Sequence, residues 1–132
     1  GAMADYIRSI YASKQAVIYG DGAKTRDYMY VGDVVRANIM ALTYKAPKGI
    51  VPIFNLSHGK ETMLKTLYHK IAVLLGRPEA QPDYQPDRAG ELMRSKLDNR
   101  KAKKYFKWQP QVSLDEGLKY TVGYFVKKQS TK

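Results

Sequence analysis

From Thr62 to Leu75 the apolar residues Leu64, Leu67, Ile71 and Leu74 recur three and four positions apart, the spacing of one face of an α-helix. Gly76 and Pro78 follow directly and supply a stop signal. Residues 5–14 form a second, shorter helical pattern with Ile7, Ile10 and Tyr11 on one face. Asp33 is placed to cap a helix that runs to about Tyr44 and is closed by Pro47 and Gly49. Ser113-Leu114-Asp115-Glu116 has the form of a capping box, and Leu118, Val122 and Phe125 carry its helix to near Lys128.

Strand patterns lie between these helices. "AVIYG", 16–20, is a short apolar run that ends in glycine. "DYMYV", 27–31, alternates and is rich in aromatics, which predicts a strand. The turn between them contains Gly20 and Gly22, residues that reach positive φ without steric cost. "IVPIFNLS", 50–57, is rich in strand formers, and Pro52 makes it an edge strand or a strand starting near Ile53. Residues 77–91 hold three prolines and no periodicity, so they read as a loop with one short extended piece. "RSKLD", 94–98, predicts a brief strand, and 99–106 a short basic helix. The fold class is therefore α/β, a small mixed domain of short strands and helices. It has too few strands for a complete doubly wound sheet. No repeat, low-complexity segment or internal boundary interrupts it.

Composition narrows the class. At 132 residues and 44% hydrophobic, the chain suits one domain with a real core. No apolar run approaches the ~18 residues of a membrane span, and no secretory pattern opens the chain. With no cysteine, disulfides and thiolate metal sites are excluded, which fits the cytoplasm. Gly1-Ala2-Met3 reads as a cloning scar outside the fold, with the domain at 4–128 and a frayed tail at 129–132. The scar also suggests a piece cut from a longer chain. The net charge of +11 attracts anions without choosing among nucleic acid, lipid and phosphorylated small molecules. The densest basic run, 100–104, reads as the solvated face of a helix.

Catalytic patterns are absent. Gly20-Asp21-Gly22 lacks a third glycine and leads into a strand, so it reads as a plain turn and not a dinucleotide loop. Tyr44 and Lys48 have the spacing of a dehydrogenase Tyr-x-x-x-Lys pair, but Pro47 disfavours the helix that would align them. His58 and His69 have no third ligand, so no metal site is expected. Anion-binding groups are present. Arg26 stands between a glycine turn and a strand, and Arg88 in a loop shaped by Pro86 and Gly90. An arginine fork matches phosphate oxygens, and two converging arginines suit a diphosphate. Glu91 could accept two hydrogen bonds from a vicinal diol such as a ribose. Each arginine also has a plainer alternative, a surface ion pair with Asp27 or Asp87.

"VIYGDGAKTRDYMYVGDVVRANIMAL", "FNLSHGKETMLKTL" and "PDRAGELMRSKLDNRKAKKYFKWQPQVSLDEGLKYTVGYF" together resemble the C-terminal half of the extended short-chain dehydrogenase/reductases. These are the NAD-dependent sugar-nucleotide epimerases and dehydratases, and the likeness is greatest to UDP-glucose 4-epimerase. It runs in order over nearly 15–126, with Ser57 where the family often has glycine. The resemblance implies a substrate-binding domain that lacks the NAD-binding sheet. Arg26 and Arg88 match the arginines on the diphosphate, Tyr28 a residue near the uridine end, and Glu91 the acid on the ribose. Asp27 and Asp33 match structural residues, one fixing a turn and one capping a helix. The implied ligand is a UDP-sugar. The implied cofactor, NAD, belongs to an N-terminal Rossmann domain of the parent enzyme, which also carries the catalytic tyrosine. This chain alone is then expected to bind no cofactor and to be inactive. A 4,6-dehydratase or a decarboxylase is the alternative within the family; a basic nucleic-acid-binding module is the alternative outside it, and nucleic acid is not the expected partner. Exposure of "DYMYV" predicts self-association into a homodimer.

Overall fold

The computed structural model describes residues 1–49 and 51–130. Ile50, at the head of the 50–57 run, and the last two residues of the 129–132 tail lie outside the described residues. Helix α1, Ala2–Tyr11, starts three residues before the expected helix. It includes Ala2 and Met3, and Met3 packs against the main core. The earlier start sets the buried face at Tyr6, Ile7 and Ile10, while Tyr11 turns outward at 37% exposure. Helix α3, Leu64–Leu74, buries Leu64, Leu67, Tyr68, Ile71 and Ala72, and Gly76 ends it at φ 70°. Helix α4, Leu114–Ser130, buries Gly117, Leu118 and Val122. Only half of its capping box forms. The Glu116 amide donates to Ser113 Oγ at 3.2 Å, while the Glu116 carboxylate accepts from Tyr120 instead.

These three helices close over the main core with Ala16 and Ile18. Burying a Leu or Ile side chain stabilises by about 1.5–3 kcal/mol, so Leu67, Ile71, Ile7 and Ile18, all fully buried, dominate its energy. Strand β1, Val17–Tyr19, pairs in parallel with β4, Asp83–Gln85. A second sheet has β2, Thr25–Arg26, at its centre. It runs antiparallel to β3, Thr62–Met63, and parallel to β5, Arg94–Ser95.

A smaller core holds Ala37, Ala102, Phe106 and Trp108. Ala37 comes from α2, Val31–Thr43, and Phe106 ends a π-helical turn, Ala102–Phe106. Phe54 stacks on Phe106 at 5.0 Å, and Tyr44 meets both rings edge-on. The basic run lies on the outside of this turn: Lys101, Lys103 and Lys104 are exposed and Ala102 is buried.

Two expected strands are absent among the described residues. Ladder pairing stops at Arg26, whose partners are Thr62 and Ser95, so 27–30 extends with no neighbour. Its residues are divided between the cores: Tyr28 packs on the main core, Met29 on the smaller one, and Tyr30 against Tyr120 at 5.5 Å. The alternation is real, but it comes from a chain threaded between cores. It also leaves 27–30 half-buried. The exposed apolar stripe lies instead on α2, at Val31, Val35, Ile39 and Leu42. Residues 51–57 likewise make no ladder. Side chains hold this segment, with Ser57 Oγ donating to the Leu97 carbonyl and Asn99 Nδ2 donating to that of Ser57.

Asp33 does not cap its own helix. Helix α2 begins two residues earlier, and Tyr30 stands at the cap position without a side-chain bond. The Asp33 carboxylate, buried at 2% exposure, accepts from the Gln111 and Val112 amides and from Arg36. Burial pushes its pKa up, but Arg36 and the two amides outweigh that and hold it below the usual value. Asp33 thus pins the loop that leads into α4.

Candidate functional site

Arg26, Tyr28, Arg88 and Glu91 line one cleft of ≈ 890 Å³ between α1, β1 and the loop after β4. Each reaches it for a local reason. The Arg26 backbone is the last paired residue of the central strand. Its Nη1 donates to the Thr25 and Leu92 carbonyls, both at 2.8 Å. Those two bonds use the protons of Nη1 and leave the Nε–Nη2 edge of the guanidinium as a free planar fork. Tyr28, two residues on, faces the same side, as extended backbone requires.

Arg88 lies over the Tyr19 ring, its Cζ 3.5 Å from the centroid. Tyr19 ends β1, so a paired strand fixes the platform on which the arginine rests. Neither arginine makes an ion pair among the described residues, so the plainer alternative does not hold. Asp27 instead accepts from the His58 and Gly59 amides at 3.1 and 2.9 Å, so its role is structural and the turn it fixes is the one at 58–59. Asp87 accepts from its neighbour's amide, Arg88 N, and from Lys24.

Glu91 is held from behind. Lys24 Nζ donates to Glu91 Oε2 at 2.6 Å and also to Asp87. Lys24 is 1% exposed. Its hydrogen bonds to Asp87, and secondarily to Glu91, raise its pKa despite burial, and Lys24 in turn lowers that of Asp87. Tyr6 lines the cleft floor. Burial, with Tyr28 as the next contribution, pushes its hydroxyl up to about 12. Tyr28 is raised too, by burial, with Arg26 opposing. Both hydroxyls stay protonated at neutral pH and can donate. The cleft therefore presents two guanidinium groups, two phenol donors and one carboxylate.

Tyr19, Lys24 and Tyr6 were not singled out in the sequence. Lys24 carried a usable signal, because 24, 26 and 28 share one face of an extended segment. Tyr19 and Tyr6 carried none, since their approach to the cleft depends on tertiary packing.

A second groove, of ≈ 620 Å³, runs beside β5. Its arginines are paired: Arg94 with Glu61 and Arg100 with Asp98. Both guanidinium groups are therefore spent locally, and Lys96 is the one further cation in its lining. The Gly20–Asp21–Gly22 turn does not fit a dinucleotide. A Cβ on Gly22 would lie 2.9 Å from Lys65 Cβ, so the glycine serves close packing on α3, and the turn opens into β2. Tyr44 ends α2 in an extended conformation and packs on Phe54 and Phe106, so Tyr44 and Lys48 are not a helical pair. Among the described residues no cluster of metal ligands forms, and no helix is long and apolar enough to cross a membrane.

The family described as GDP-mannose 4,6 dehydratase matches residues 2–121. The chain belongs to this family. It is 41% identical over 128 residues to UDP-glucose 4-epimerase of Mycolicibacterium smegmatis, covering 97% of this chain and 40% of that protein. The crystal structure of UDP-glucose 4-epimerase from Thermotoga maritima with UDP-glucose superposes with a TM-score of 0.89 at 40% identity, over 98% of this chain and 40% of that one. UDP-glucuronic acid 4-epimerase from Bacillus cereus, in complex with UDP-glucuronic acid and NAD, gives 0.88 at 25% identity, over 97% and 40%. The chain thus spans about 40% of the length of these family members and matches the C-terminal portion of the Rossmann-type epimerases. Its homologues are epimerases, dehydratases and decarboxylases of UDP-sugars and related nucleotide sugars.

Proposed function

We propose that this chain is the substrate-binding domain of an NAD-dependent nucleotide-sugar 4-epimerase of the UDP-glucose/UDP-galactose type, with Met3 and the end of α4 belonging to the folded body as well. The observation that carries this reading is the convergence of Arg26, Tyr28, Arg88 and Glu91 on one cleft. Arg26 and Arg88 take the diphosphate, the first through its free Nε–Nη2 edge. Glu91 takes the ribose diol through the oxygen that Lys24 leaves unoccupied, and Tyr28 lies toward the uracil. The domain contributes binding and orientation, which lower a barrier by holding the reacting carbon in place. Bond-making groups belong to the part of the family that the chain does not span. The apolar stripe of α2, at Val31, Val35, Ile39 and Leu42, is the surface for that part.

The test is a titration of the chain with UDP, UDP-glucose and dTDP, followed by amide chemical shifts. The reading expects weak binding, because half of the cleft is supplied elsewhere, with shifts at Arg26, Tyr28, Arg88 and Glu91 that favour the uridine ligands. Shifts confined to other residues, or none with any nucleotide, would overturn it. UDP-glucuronic acid bound in preference to UDP-glucose would move the reading to a decarboxylase or a uronate epimerase.

A further inference from the structure

Among the described residues, Lys24 is the one lysine whose side chain is fully buried. Its ammonium bonds two carboxylates, Asp87 and Glu91, on the loop that follows β4. That loop has no anchor of its own kind: residues 84–94 are all exposed, so no apolar side chain fastens it to a core. Backbone bonds tie its two ends. Gly20 N donates to the Gln85 carbonyl, and Thr25 N to that of Met93. Arg26 holds the Leu92 carbonyl near the second end. Between Gln85 and Leu92, the loop's bonds to the body come from Lys24, with the stacking of Arg88 on Tyr19 beside them.

The two carboxylates bracket Arg88 in sequence. With the ammonium between them, the trio carries one net negative charge; without it, two carboxylates would stand beside the position assigned to a diphosphate. Like charges in a partly desolvated site repel, and the repulsion is sensed most by the most highly charged ligand. A buried cation that neutralises the loop's acids therefore does two things at once. It fixes the geometry of Arg88 and Glu91, and it removes a repulsion.

We infer that Lys24 is a positioning residue, which holds the 86–91 loop in its binding conformation and keeps the loop's carboxylates from repelling the diphosphate of the ligand. This rests on the sugar-nucleotide reading of the cleft. It adds a residue to that reading and a charge-dependent role.

The experiment compares the wild-type chain with Lys24→Met and Lys24→Arg in two arms. The first measures UDP and uridine affinity by amide shifts. Lys24→Met is expected to lower UDP affinity about tenfold and uridine affinity much less, and Lys24→Arg to restore most of the loss. A purely structural lysine would lower both alike; equal losses, or no loss of UDP affinity, would overturn the inference. The second arm needs no ligand. Amide hydrogen exchange at Arg88 and Glu91, whose N–H groups bond within the loop, is expected to quicken about tenfold in Lys24→Met and to stay slow in Lys24→Arg. Unchanged exchange would overturn the anchoring role. If circular dichroism shows Lys24→Met unfolded, Asp87→Asn at an exposed position carries the exchange arm, read at the Glu91 amide alone because the Arg88 amide bonds Asp87 itself, with the same expected quickening and the same contrary outcome. A wild-type chain that binds no nucleotide overturns the cleft assignment and the repulsion argument with it, while the exchange arm still decides whether Lys24 anchors the loop.

Discussion

The guanidinium of Arg88 stacks on the ring of Tyr19, with its Cζ 3.5 Å from the ring centroid. A cation over a tyrosine face contributes about 1 kcal/mol when partly desolvated. Here that energy keeps a loop arginine aimed into the cleft before any ligand arrives. Tyr19→Leu retains bulk at the end of β1 and removes the face. UDP affinity is expected to fall roughly fivefold, which corresponds to about 1 kcal/mol. Titration monitored at the Arg88 amide checks it, and an unchanged affinity would show that Arg88 needs no platform.

Arg26 is constrained more tightly, by two carbonyls on one nitrogen. A lysine at this position has one ammonium to serve both carbonyls and the ligand. Arg26→Lys is therefore expected to lose at least about tenfold in UDP affinity although the charge is kept, because a charge-assisted bond contributes about 1.5–3 kcal/mol. Full retention of affinity by Arg26→Lys would mean that only the charge matters. Calorimetry at two salt concentrations separates the cases, because a pure charge effect weakens as salt rises.

What the sequence disclosed follows from locality. Helices with a regular apolar face, such as α3, and turns that require glycine, such as Gly20 and Gly22 at φ 82° and 74°, are set by near neighbours and were legible. Arg26, Tyr28, Arg88 and Glu91 were named from motifs, and the fold brings all four to one cleft. What needed the fold was long-range pairing. Residues 27–31 have a strand's alternation, but a strand exists only where a neighbour runs alongside, and the partners of β2 diverge after Arg26. Asp33 looked like a helix cap because its type and position suit one. Besides Arg36 on its own helix, its partners lie 78 and 79 residues away, at Gln111 and Val112, beyond the reach of any local rule.

Asp33 is also where stability should concentrate. Its carboxylate satisfies two loop amides and Arg36, and its carbonyl accepts from Trp108 Nε1 at 3.0 Å. Asp33→Ala leaves part-buried donors without partners, a loss expected at about 2 kcal/mol. Trp108 is the chain's one tryptophan, so its fluorescence reports on this core directly. Urea unfolding followed at the tryptophan should show a lower midpoint with an unchanged slope. A midpoint equal to wild type would mean that water replaces the carboxylate at no cost.

Glu61 gives the fold its clearest dependence on pH. It joins the three strands of the second sheet: Arg94 on β5 donates to both carboxylate oxygens at 3.0 and 2.5 Å, and Thr25 on β2 donates at 2.6 Å, one residue before β3 begins. Arg94 first, then Thr25, holds the Glu61 pKa at about 2, against an ordinary 4.5. Folding thus lowers this pKa, so its contribution to stability is fully present above 4.5 and is lost as pH falls from 4.5 toward 2. Asp98 is also held at about 2, but its partner Arg100 is two residues away and can stay near in the unfolded chain, so it links strands less. The comparison that isolates Glu61 is the thermal midpoint of wild type against Glu61→Gln. The gap between them is expected to stay constant from neutral pH to about 5 and to close between 4.5 and 2. A gap that persists unchanged to pH 2 would show that the glutamate acts through shape and hydrogen-bond count, and that its charge carries none of the stability.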